Sequence, residues 1–217
     1  MFGFILGSLP IIFSLLISIL YFSTLKTSRL ALFPYYLTFK LFSEYSSFFY
    51  TYYKHRSNHV FYNLVFFIDV LFYFLIFVRF VQRKIFHVIV LCLGSIFFLF
   101  YFYNILFKQG LFFFNTYTFS AGAIILLLMC LLYLLQMFLS ETEINYFRIP
   151  MFWIATGLMF YYAGNLLYIS LLSHIIEKNI DPRGNIFLVI MILSNTILYG
   201  FFSIGFLSGN KWKTKKC

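Results

Sequence analysis

The sequence predicts an all-α polytopic membrane protein, seven transmembrane helices in one bundle, and three observations lead there. Of 217 residues, 63% are hydrophobic and 10% are charged, with a mean hydropathy of +0.92, outside the range of soluble domains. Apolar runs long enough to cross about 30 Å of hydrocarbon as helices recur along the whole length. The gaps between them hold charged and helix-breaking residues.

The first run covers 4–24 and has no basic leader and no small-x-small cleavage site, so a retained span is expected rather than a signal peptide. KTSR at 26–29 ends it. The second run, 30–53, opens near Pro34, and KHRSNH at 54–59 separates it from the third, 60–79. Arg79 to Lys84 precedes the fourth, 85–105. Lys108 to Gly110, with an interfacial segment at Leu111 to Phe114, leads to the fifth, 117–139. SETE at 140–143 precedes the sixth, 150–173, and EKNIDPRG at 177–184 precedes the seventh, 186–208. One membrane domain therefore occupies 1–208 and a basic tail occupies 209–217. No length is left for a soluble catalytic or DNA-binding domain.

Orientation follows from the basic residues. With the N-terminus outside, Lys26, Arg29, Arg79, Arg83, Lys84, Arg148, Lys211, Lys213, Lys215 and Lys216 fall inside. Lys54, Arg56, Lys108, Lys178 and Arg183 fall outside. This asymmetry predicts an inner-membrane protein with a cytoplasmic C-terminus. The net charge of +10 thus reads as topology, with the bilayer as partner and no nucleic acid. Trp212 and the tail lysines suit an anionic leaflet.

Two spans open on proline, Pro34 and Pro150, and two pair a polar residue with a tyrosine one turn later, Asp69 with Tyr73 and Asn195 with Tyr199. These matches point to parallel three-span repeats joined by the fourth helix, 3+1+3. The competing reading is chance alignment in a chain with 34 Phe and 18 Tyr.

The second span carries Lys40 and Glu44, one helical turn apart, so they can pair. Tyr36, Lys40, Glu44, Ser47 and Thr51 share one face, while Leu37, Leu41, Phe42 and Phe48 lie mostly off it. An ionisable residue at mid-bilayer depth costs at least roughly 2.5 to 3.5 kcal/mol, so this face is expected to look inward. Asp69 lies at the centre of the third span, with Tyr62 seven residues before it and Tyr73 four after. Lys40, Glu44 and Asp69 together read either as a proton- or cation-handling group or as a buried cluster fixing how two helices pack. In the sixth span Trp153, Gly157, Tyr161, Gly164 and Tyr168 form a stripe that invites close helix approach, and Asn165 and Asn195 add amides near mid-membrane.

Other residues exclude chemistry. His55 and His59 are four apart, but Lys54 and Arg56 beside them disfavour a metal, and His87 and His174 stand alone near span ends. Cys92 and Cys130 lie inside apolar spans, and Cys217 is not the fourth residue from the end that prenylation requires. Glu141 and Glu143 read as a solvated loop or cap. The seventh span has no lysine for a retinal Schiff base, and HExxH, GxSxG and phosphate-cradling glycine loops are missing, so no cofactor, metal or catalytic set is expected.

FPYYLTFKLFSEY, NHVFYNLVFFIDVLFYFLIF and PMFWIATGLMFYYAGNLLYISL together resemble a group of uncharacterised, roughly seven-span membrane proteins of Bacteroidetes-type bacteria. The resemblance implies recurring acids at Glu44 and Asp69 and an F-W-I-x-x-G pattern at Phe152, Trp153, Ile154 and Gly157. Similar spans precede sensor kinases, which implies a sensing role coupled here to a separate signalling protein. The expectation is a sensory or regulatory membrane module around a polar core of Lys40, Glu44, Asp69, Tyr73, Asn165 and Asn195. A small-solute transporter with 3+1+3 repeats, and a lipid-modifying enzyme using Glu44 and Asp69, are the alternatives. The ligand is left open.

Overall fold

The apolar runs are largely helical in the computed structural model, which describes residues 2–54, 58–140, 145–178, 181 and 185–209. In chain order these are α1 (Phe2–Leu20), α2 (Phe22–Thr27), α3 (Phe33–Lys54), α4 (His59–Phe80), α5 (Lys84–Phe107), α6 (Thr116–Phe138), α7 (Pro150–Glu177) and α8 (Asn185–Ser208), with a 3-10 turn at Tyr146–Arg148. Among the described residues there is no strand. The chain is a helical, multi-pass membrane protein. Among the described residues five helices are long and apolar enough to cross a bilayer: α4, α5, α6, α7 over Pro150–Leu171 and α8 over Leu188–Ser208.

The other two expected spans differ from these five. The run 4–24 breaks at Tyr21, whose φ of −100° and ψ of 22° leave the helix, so it divides into α1, ending at Leu20, and the six-residue α2. α3 has the length, but Lys40, Glu44 and its Ser and Thr residues keep it outside the five. It starts at Phe33 because Pro34, lacking an N–H, is tolerated in a first turn where that donor would be unpaired anyway.

The chain divides into two compact units, Met1–Leu41 with Glu141–Cys217, and Phe42–Ser140. In the first, α8 lies between α1 and α7. Glycine sets the α7–α8 contact: a Cβ on Gly157 would stand 2.7 Å from Phe201 Cβ, and one on Gly205 would stand 2.9 Å from the Pro150 carbonyl oxygen. The Phe201 ring stacks with Trp153 on one side of Gly157 and with Phe160 on the other, at centroid distances of 5.8 and 6.0 Å. The stripe read from the sequence thus lies against α8. Phe33, fully buried, meets Phe202 and Phe206 edge-on at 5.4 and 5.5 Å.

In the second unit α4, α5 and α6 pack on one another. Their short connections make α5 antiparallel to both neighbours. Gly94 on α5 receives the Phe74 ring, and Gly122 on α6 lies beneath Phe66 and Phe97. Tyr73, Phe77, Phe97, Leu126, Met129 and Cys130 fill the interior.

These notches yield a contrast among glycines. Gly205→Ala and Gly157→Ala force neighbouring backbone or Cβ atoms apart and should each lower stability by about 1–3 kcal/mol. Gly200, with nothing within 4 Å of its Cβ position, should accept alanine with no loss or a gain of up to about 1 kcal/mol. Thermal unfolding in detergent measures all three.

Candidate functional site

Burial along α3 does not separate the expected polar face from the rest of the helix, since Leu41 and Phe48 are half-buried like Lys40 and Glu44. Tyr36, Ser43 and Ser47 are buried and Lys40 and Glu44 half-buried, while Tyr35, Phe42 and Phe49 are exposed. Leu37, read as lying off that face, is also fully buried, and Thr51 near the helix end is exposed. Ser47 Oγ accepts a hydrogen bond from Asn58 Nδ2 at 2.7 Å, tying α3 to the residue that opens α4.

On α4, Asp69 is 7% exposed and Tyr73 2% exposed, so both lie inside protein rather than in lipid. Tyr62 does not continue their face: it is 48% exposed, and Asn63 is buried instead. Near the helix start, burial is set by the α5–α6 connection folding over Asn63 rather than by helical phase alone. Lys40, Glu44, Asp69 and Tyr73 each engage a partner.

Asn165 and Asn195 belong to the other unit, on the facing helices α7 and α8. The preceding residues meet there, a Cβ on Gly164 standing 3.7 Å from Ser194 Oγ. Asn165 is half-buried and its Nδ2 donates back to the Tyr161 carbonyl at 2.8 Å, while Asn195 is buried. The structure thus places Lys40 with Glu44 on one helix, Asp69 with Tyr73 on a second, and the two asparagines on a third and fourth.

A polar cluster that sequence reasoning passed over closes one end of the α4–α5–α6 unit. Asn63 Nδ2 donates to the carbonyls of Leu111 and Phe113 at 2.9 and 2.8 Å, and Asn63 Oδ1 accepts from the Asn115 N–H at 3.2 Å. One buried amide therefore holds the non-helical segment 111–115. Gln109 Oε1 accepts from Asn104 Nδ2 at 3.0 Å and from the Tyr117 N–H at 3.4 Å, capping α6 from outside the helix. Asn104 Nδ2 also donates to Thr118 Oγ1 at 2.7 Å. Asn115 flanks α6 without capping it, and its buried side-chain amide has no hydrogen-bond partner. The available signal was the Asn, Gln and Thr residues flanking the run of phenylalanines at 112–114, where a helix break needs substitutes for lost backbone hydrogen bonds.

The other end of this unit uses glutamine. Gln136 Oε1 accepts from the Gln82 and Arg83 N–H groups at 2.6 and 2.9 Å, while its Nε2 donates to the Phe80 carbonyl at 3.2 Å. Arg83 reaches the Leu139 carbonyl at 2.5 Å, and His87 Nδ1 lies 3.0 Å from the Val81 carbonyl. These are joints between helices.

Among the described residues, no three His, Cys, Asp or Glu side chains gather as metal ligands would. His59 lies beside the Phe114 ring, Cys92 is exposed and Cys130 is buried. His55, Glu141, Glu143, Arg183, Cys217 and the tail lysines fall outside the described residues, as does the His174 ring. No family model, no curated protein and no solved structure matches the chain.

Asn63→Ala would leave two carbonyls and one N–H unpaired and should cost at least about 2 kcal/mol. Asn165→Ala, which removes only a bond to its own helix, should cost under about 1 kcal/mol. Denaturation in detergent, compared between the two variants, checks the difference.

Proposed function

We propose that this protein is a sensory or regulatory membrane module, built around the intramembrane polar residues of α3 and α4. The observation that carries the reading is Asp69, a carboxyl buried midway along an apolar helix of membrane-spanning length. Such a residue is costly and is retained for pairing or for response. α3 adds Lys40 and Glu44 on a helix too polar to be surrounded by lipid alone. Within each unit, ring-into-glycine packing fills the space between helices, which suits an element that switches between two packings better than one that conducts a solute.

In this reading α1 and α3 join the five apolar helices as spans, making seven. The N-terminus lies outside and the C-terminus in the cytoplasm of a bacterial inner membrane, following the basic-residue asymmetry. The signal passes to a separate protein, as the resemblance to the Bacteroidetes-type group implies. Glu44, Asp69 and Tyr73 in one unit, and Lys40, Asn165 and Asn195 in the other, are the polar residues to which this reading assigns the response.

Purified protein reconstituted in vesicles separates the readings. A module gives no proton or solute flux above empty vesicles, and the effects of Lys40→Met and Glu44→Gln on thermal stability are non-additive by about 1 kcal/mol or more. Flux abolished by Glu44→Gln or Asp69→Asn would establish the small-solute transporter with 3+1+3 repeats instead, and turnover of a lipid in the same vesicles would establish the enzyme.

Orientation has its own measurement. With Cys92 and Cys130 replaced, Cys217 should resist a membrane-impermeant thiol reagent in intact cells and react after permeabilisation. Rapid labelling of intact cells would reverse the topology.

A further inference from the structure

Arg29 is the one non-glycine residue with positive φ among the described residues, at φ 61°. It sits just past the end of α2, where the Leu30 N–H donates to the Leu25 carbonyl at 2.8 Å and the Arg29 N–H donates to the Lys26 carbonyl at 3.3 Å. This pair of bonds closes a helix end whose left-handed residue is usually glycine, since a Cβ is disfavoured there. Leu25 and Leu30, both fully buried, anchor the turn on either side. The backbone asks for glycine, yet the chain carries an exposed guanidinium.

Two other basic residues belong to segments that converge at the same end of the first unit. A Cβ on Gly209, at the end of α8, would stand 3.0 Å from Thr24 Cγ2, 3.3 Å from Ser28 Oγ and 3.1 Å from Pro150 Cγ. Those contacts bring α2, with Lys26 in its last turn and Arg29 just beyond, to the start of α7, where Arg148 precedes Pro150 by two residues. Lys26 is exposed and Arg148 half-buried. No Asp or Glu lies on α2, on the 3-10 turn or in the last turn of α8.

The depth of this cluster identifies its counter-charge. The spanning part of α7 begins at Pro150 and that of α8 ends at Ser208, so Arg148 and Gly209 lie just beyond membrane-length apolar stretches, at headgroup level. The same segments carry aromatic residues of the kind found in an interfacial belt: Tyr35 is exposed and meets Phe22 edge-on at 6.4 Å, and Trp153 Nε1 donates to the carbonyl of the exposed Phe147 at 2.9 Å.

We propose that Lys26, Arg29 and Arg148 form a binding site for the headgroup of an anionic phospholipid, with Arg29 held in a conformation unfavourable for its backbone so that its guanidinium meets the lipid phosphate. Arginine suits the role because its planar fork matches phosphate oxygens in pairs. Binding strength is gained where local stability is given up.

The opposite signs of those two effects make the test. Full-length protein in neutral detergent is followed by its thermal midpoint as phosphatidylglycerol, phosphatidylcholine, inorganic phosphate or polyglutamate is added. Phosphatidylglycerol alone should raise the midpoint. Arg29→Gly should leave the lipid-free midpoint no lower than the parent's, yet raise the phosphatidylglycerol concentration needed for half the shift by about fivefold, the factor one basic residue contributes at an anionic surface. Arg148→Gln should weaken the response similarly, while Arg29→Lys, which keeps the charge and loses the paired donors, should fall between the parent and Arg29→Gly. An absent phosphatidylglycerol shift, an undiminished response in Arg29→Gly or Arg148→Gln, or a fall in the lipid-free midpoint of Arg29→Gly overturns the site. An equal shift with phosphatidylcholine or inorganic phosphate overturns the lipid assignment, and an equal shift with polyglutamate replaces it with an acidic protein segment.

Discussion

A chain surrounded by hydrocarbon must satisfy its backbone N–H and C=O groups internally, and the rest of this structure depends on that constraint. Helices meet it along their length. Their ends do not, and there the chain uses side chains as substitutes for backbone. Asn63 binds both strands of polarity in the segment after α5, Gln136 does the same for the α4–α5 joint, and Asp181 accepts from the Asn185 and Ile186 N–H groups at the start of α8, at 2.8 and 2.9 Å. A carboxylate at a helix N-terminus also suits the helix dipole. Amides do most of this work because one side chain both donates and accepts, so it can bridge two orphaned groups of opposite kind.

Between helices the driving force differs from that in a water-soluble core. Lipid is as apolar as phenylalanine, so burying a ring against another helix gains little from leaving the surroundings, and close contact must supply the attraction. That accounts for the pairing of notch and ring at Gly94 with Phe74, Gly122 with Phe66 and Phe97, and Gly157 with Phe201. Rigid aromatic groups lose little rotamer freedom on packing. The glycines bring the rings close enough for dispersion to count.

Against this background the ionisable residues are conspicuous costs. Lys40 and Glu44 reduce the apolarity of α3 so far that it needs protein or polar surroundings along one face, and Asp69 places a carboxyl where Ile or Leu would pack without penalty. Arg29 is a cost of another kind, borne by the backbone rather than by solvation. Local rules are broken at a few positions in an otherwise consistent chain, and such positions are where response and recognition concentrate.

The all-helical architecture, the approximate bounds of the long helices and the glycine stripe of α7 were legible in the sequence. Hydropathy, period and proline position report local preferences that a bilayer reinforces. Three things required the fold. No local pattern marks the break at Tyr21 or the left-handed Arg29, and Thr24 and Ser28 of that segment lie beside Gly209 at the end of α8. The burial of Asn63 in place of Tyr62 depends on a segment some fifty residues away that folds over one end of α4. The division into two compact units, with α3 running from one into the other, is a property of the whole set of contacts. Sequence patterns report what each stretch prefers against water or lipid; which stretches satisfy one another's unpaired groups is decided only when they are brought together in space.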